Sequence, residues 1–121
     1  MIALRGATTV EEDSSIDIEK QSIILFKEIL EKNNLSKEKI ISITFSCTQD
    51  ITKEYPGKFI REYFNLKYCA IMHFNEMFVD KETYLKKCIR LTIFYNENSN
   101  QNKVKHIYLN KAKNLRKDLT N

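Results

Sequence analysis

The sequence predicts an α+β fold, a five-stranded mixed sheet with helices packed on one face. Three observations predict it. Five short runs carry the period-two or β-branched pattern of strands. One long stretch and one short one carry the 3.6-residue pattern of amphipathic helices. Their order, β-α-β-α-β-β-β, places the helices early and ends on strands.

The first run, residues 2–10, sets Ile2 and Leu4 on one face and Arg5 on the other. Gly6 within it marks a bulge or a close backbone approach. After an acidic turn, the pattern from about Ser15 becomes helical. Ile18, Ser22, Leu25, Phe26, Ile29 and Leu30 share one side, and the helix ends near Asn33-Asn34. Residues 36–39 read as a capped single turn. Ile40 to Cys47 is β-branched and apolar, a second strand.

Pro56, at a first helical position, opens a short helix to about Phe64. Lys58 and Arg61 are three apart there and share its surface. Residues 67–74 form a third strand, with Asn75-Glu76-Met77 at its end. Residues 80–85 are a turn or short helix. In the fourth strand, Cys88 to Tyr95, Ile89, Leu91 and Ile93 alternate with Arg90, Thr92 and Phe94. A polar loop over 96–103 precedes a fifth strand, 106–109, in which His106 and Tyr108 share a face. The basic tail from about 111 is expected to be mobile. The whole of 1–121 reads as one domain. A sheet covered on one face only predicts an oligomer that covers the other.

Composition removes several function classes. No apolar run approaches the ~18 residues of a membrane span, and the first residues do not form a signal peptide. A cytoplasmic location is the default. With two glycines there is no phosphate-cradling loop. Cys47, Cys69 and Cys88 are widely spaced in apolar runs and read as buried small hydrophobes. No metal-ligand spacing occurs, so neither a metal nor another cofactor is expected. The sixteen lysines are interleaved with acids along the chain, the pattern of a solvated face rather than of a nucleic-acid surface. Only four arginines occur: Arg5, Arg61, Arg90 and Arg116. Where lysine is the prevailing cation, an arginine is a candidate for a planar, two-pronged grip on a carboxylate or phosphate. Arg5 and Arg90 on strand faces, with Tyr108 and Glu76, could hold a small dicarboxylate bearing a hydroxyl. Such a site favours electrostatic stabilisation over proton transfer.

Five ordered segments carry a resemblance. Residues 4–10 (LRGATTV), Tyr55-Pro56-Gly57-Lys58 with Arg61, Asn75-Glu76-Met77, residues 85–90 (LKKCIR), and His106-Ile107-Tyr108-Leu109 followed by Leu115-Arg116 resemble the AroH class of chorismate mutases. The likeness runs from Ile2 to about Leu119. It implies a homotrimer with the outline of a pseudo-α/β barrel, an active site at each subunit interface, and the rearrangement of chorismate to prephenate. It also implies roles. Arg5 grips a substrate carboxylate, Arg90 stands by the ether oxygen, Glu76 contacts the ring hydroxyl, and Tyr108 contacts a carboxylate. Met72 and His73 line the pocket, while Tyr55, Lys58, Arg61, Leu115 and Arg116 surround its mouth. Three features depart from the family pattern: His73 replaces a small thiol, Lys117 replaces a proline, and the stretch from Met77 to Lys86 is slightly longer. The alternatives are a mutase-like protein that only binds, and a small-anion-binding trimer of the RidA imine-deaminase type.

Overall fold

The computed structural model describes residues 1–118. Five strands form one mixed sheet in the order β3-β2-β4-β1-β5. They are β1 (Ile2–Thr9), β2 (Ile40–Cys47), β3 (Ala70–Asn75), β4 (Cys88–Tyr95) and β5 (Ile107–Tyr108). The β1–β4 and β2–β4 pairs are antiparallel, and the outer pairs β2–β3 and β1–β5 are parallel. Helices α1 (Ser15–Lys32) and α2 (Pro56–Phe64) pack on one face.

Local chemistry sets the helix limits. The Ser14 hydroxyl accepts the Asp17 N–H at 3.1 Å, so it caps α1. Pro56 takes the first position of α2, where no N–H is needed. That helix stops at Asn65, which adopts the left-handed conformation with φ 54°.

The core lies between helices and sheet. Ile18, Leu25, Phe26 and Ile29 of α1 and Ile60 of α2 are fully buried against Leu4, Ile43, Phe45, Ile89 and Ile93. Each such side chain contributes roughly 1.5–3 kcal/mol. Gly6 answers to the close approach rather than to a bulge. A Cβ there would stand 2.6 Å from Ile29 Cδ1 and 3.2 Å from Leu25 Cδ1.

Three local expectations are corrected. The third strand begins at Ala70, not at residue 67. Arg61 takes the carbonyls of Leu66, Lys67 and Cys69, which draws that segment out of the ladder. Ser36 precedes its 3₁₀ turn without a side-chain cap. Residues 81–83 form a turn, one of the two forms expected there. The tail is anchored well past 111. Asn110–Asn114 is a 3₁₀ turn with Ala112 fully buried. The Asn110 amide donates to Thr8 Oγ1, the Thr9 carbonyl and Gln21 Oε1. The tail's last three positions, and the end of the resemblance at Leu119, lie outside the described residues.

Candidate active site

The face of the sheet turned away from the helices carries the site. Paired residues in a sheet point to the same side, so the register fixes two rows. One row runs Tyr108, Ala7, Arg90, Ser46, Phe74, and the next runs Arg5, Thr92, Thr44, Met72. Arg5, Arg90 and Tyr108 thus converge from β1, β4 and β5. A cavity of about 270 Å³ opens among Arg5, Thr44, Ser46, Glu76, Arg90, Thr92 and Tyr108.

Glu76 reaches this cavity from the end of β3. Its N–H donates to the Cys47 carbonyl at 2.7 Å, which fixes the backbone. The Ser46 hydroxyl donates to Glu76 Oε1 at 2.9 Å, and Arg90 Nη1 stands 3.7 Å from the same oxygen. That last distance is an ion pair without a hydrogen bond. Among the described residues, the guanidinium of Arg90 and Glu76 Oε2 make no hydrogen bond. Tyr108 is buried, and its hydroxyl also has no hydrogen-bond partner there. Arg5 is held through its backbone, whose N–H donates to His106 Nδ1 at 2.9 Å. Burial, with the nearby Arg5 and Arg116 charges, keeps the His106 imidazole below its usual pKa. His106 is therefore structural, the acceptor that seats Arg5.

This arrangement can do specific chemistry. Two cations, a free hydroxyl and a carboxylate surround a cavity of small-molecule size. A hydroxylated dicarboxylate would satisfy all four. A buried polar group left without a partner is uncommon, and the Tyr108 hydroxyl is such a group bordering this cavity.

The other expected residues lie elsewhere in the protomer. His73 does not line this cavity. Its ring faces the helices, stacked 4.9 Å from Phe45 and 5.1 Å from the tilted ring of Tyr55. Tyr55 and His73 border a second cavity of about 380 Å³, together with Pro56, Phe74, Lys53 and Glu54. Met72 is exposed on β3, three strand spacings from Arg5, or roughly 14 Å. Lys58 pairs with Glu54 at 2.9 Å. Arg61 is engaged with backbone carbonyls, as above. Leu115 packs by Tyr108 and Ala112 and lines a small cleft that touches Glu76 and Arg90. Arg116 forms a two-pronged pair with Asp118 at 3.0 and 2.8 Å.

Sequence reasoning missed Thr44, Ser46 and Thr92. The signal was present: in β2, Ser42, Thr44 and Ser46 alternate with Ile43, Phe45 and Cys47, so one polar face was legible. Among the described residues no acid, histidine and cysteine cluster could hold a metal ion.

The family model described as chorismate mutase type I matches residues 1–119. The chain is 34% identical over 117 residues to chorismate mutase AroH of Bacillus subtilis (strain 168), covering 97% of this chain and 91% of that protein. It is 32% identical over 117 residues to chorismate mutase AroH of Thermus thermophilus, covering 96% and 93%. Among solved structures, a chorismate mutase from Clostridium thermocellum superposes with a TM-score of 0.85 at 37% identity, covering 92% of this chain and 96% of that one.

Proposed function

The chain belongs to the chorismate mutase type I family, and from that premise we propose how its residues rearrange chorismate to prephenate, a step in making phenylalanine and tyrosine. The observation that carries the proposal is the pairing of Arg90 with Glu76 in a cavity flanked by Arg5 and Tyr108.

The rearrangement breaks a C–O bond and forms a C–C bond in one concerted step. It needs no nucleophile, general base or cofactor. The protein's first task is to hold a flexible dianion in its compact chair conformer. Arg5 and Tyr108 grip a carboxylate, and Glu76 Oε2 accepts the ring hydroxyl. Orientation of this kind removes several kcal/mol of barrier, within a ceiling of ~7–11 kcal/mol. The second task is electrostatic. As the C–O bond breaks, negative charge grows on the ether oxygen. Arg90, held on the central strand β4, meets that charge more strongly in the transition state than in the ground state.

We further propose a homotrimer with active sites between protomers. Two features support it. Tyr55 and His73 border a different cavity from Arg5 and Arg90, so within one chain the positions that the resemblance implies line the pocket fall into two separate halves. Moreover, Met72, Phe74 and Phe94 are exposed large apolar side chains, all on the uncovered sheet face. A neighbouring protomer that covers this face would bring one protomer's Tyr55 half to another's Arg90 half. In this reading 1–121 acts as one cytoplasmic domain. No helix among the described residues is long and apolar enough to cross a membrane.

The test is loss of chorismate absorbance on adding purified protein without metal or nucleotide. Saturable loss with prephenate as product supports the mechanism. No loss from folded protein would leave a chain that binds without turning over.

A further inference from the structure

Helix α2 begins without a cap of its own. Tyr55, at the cap position, makes no side-chain hydrogen bond to the helix. Yet the first N–H groups of any helix need acceptors. At α2 one acceptor comes from the sheet: the Gly57 N–H donates to His73 Nε2 at 2.9 Å. The imidazole reaches it because Gly57 has no side chain. A Cβ there would stand 2.8 Å from His73 Cε1, 2.9 Å from His73 Nε2 and 2.6 Å from Ile71 Cγ2. Phe45 behind the ring and Tyr55 beside it hold the imidazole in that plane.

We propose that His73 caps α2 across the sheet–helix boundary, that His73 and Gly57 are therefore a mutually dependent pair, and that the pair positions Tyr55 and Lys58 for substrate. The last clause rests on the reading of Tyr55 and Lys58 as pocket-mouth residues. His73 is here a positioning residue.

The cap works only with a neutral ring. As acceptor, Nε2 carries no proton, so the proton sits on Nδ1. A protonated ring would set donor against donor, and a positive charge against the positive end of the helix. Burial pushes the His73 imidazole below its ordinary value. The ionisable groups that line the same cavity are Cys47 of β2 and Lys53, Glu54 and Tyr55 of the loop before α2. A lowered folded value means that the unfolded chain binds protons more readily. The contribution is therefore full above about pH 6.5 and is lost as pH falls below it through the folded value.

Four proteins test the pair: the wild type, His73→Cys, Gly57→Ala, and the double variant. Displacing the ring in Gly57→Ala should raise KM for chorismate by about two- to tenfold, with a smaller effect on kcat. Wild-type KM should rise in acid, and that rise should vanish in His73→Cys. Gly57→Ala should lower Tm, and by about half as much when His73 is already cysteine, because two of the three close contacts are gone. The Gly57 amide resonance should shift with the imidazole titration. Additive Tm losses, or a Gly57 amide indifferent to pH, would overturn the proposal. If Gly57→Ala fails to fold, the amide titration of the wild type and the His73→Cys profile still decide it. If the wild type does not turn over chorismate, the mutase mechanism fails, while Tm and the amide titration decide the cap independently.

Discussion

Replacing Arg90 with lysine keeps the positive charge but removes the flat, forked donor. The consequences for stability and for catalysis should separate widely. For stability, the wild-type guanidinium lies 3.7 Å from Glu76, with the two side chains 36% and 22% exposed. An ion pair this open and outside hydrogen-bond range contributes about 0–1 kcal/mol. Tm should then fall by a few degrees, since 1 kcal/mol corresponds to roughly 4 °C at a size between small and mid-sized domains. For catalysis, a positioned donor that meets developing oxyanion charge is worth roughly 2.7–4 kcal/mol, or 10²–10³ in kcat. Lysine offers one compact ammonium on a mobile stem and should recover little of it. The assay follows chorismate loss at saturating substrate, alongside a thermal melt. A hundredfold or greater fall in kcat with Tm nearly unchanged is expected. Near-normal kcat would refute the role of Arg90. An equally large fall in Tm would mean that Arg90 acts through folding.

Other outcomes follow from the same geometry. Tyr108→Phe removes a buried hydroxyl that has no hydrogen-bond partner among the described residues, so Tm should hold or rise while KM for chorismate increases. Gly6→Val should crowd Ile29 and Leu25 and cost about 1–3 kcal/mol by denaturant titration. Asn110→Ala loses three hydrogen bonds at a position with φ 53°, costing about 1–3 kcal/mol and raising amide exchange across Tyr108 and Leu115. Burial pushes the Cys47 and Cys88 thiols up to about 12. Both should resist thiol reagents at pH 8 until denaturant is added; rapid labelling of the folded protein would contradict their burial.

The fold was largely legible because local and global signals agree. The alternation in β4 told core from site face, and Pro56 marked the start of α2 to the residue. What sequence could not show was bonding between distant residues. The late start of β3 depends on Arg61 collecting carbonyls from the connecting loop. The order of the tail depends on the Asn110 amide reaching strand β1. The site was legible in part. Arg5, Arg90, Glu76 and Tyr108, singled out from the sequence, border one cavity. His73 was harder, because β3 is apolar on both faces: Ile71 lies on one side, Met72 and Phe74 on the other. Periodicity cannot orient such a strand. Only the glycine opposite, Gly57, shows which face has room for an imidazole.

Strand β5 is two residues long and pairs only with β1. Its contacts join positions about a hundred residues apart, as in the Arg5 N–H bond to His106. Contacts of such separation close slowly, and short peripheral elements open at lower free energy than the core. The β3-β2-β4-β1 ladder makes its own pairings without β5, and β5 is held to it from beyond its end by Asn110 and the buried Ala112. Each opening would withdraw Tyr108, and would unseat Arg5 by removing its acceptor. In the proposed mechanism the carboxylate grip therefore hangs on a two-residue strand, and a dianion bound there would be the mortar that keeps that strand in place.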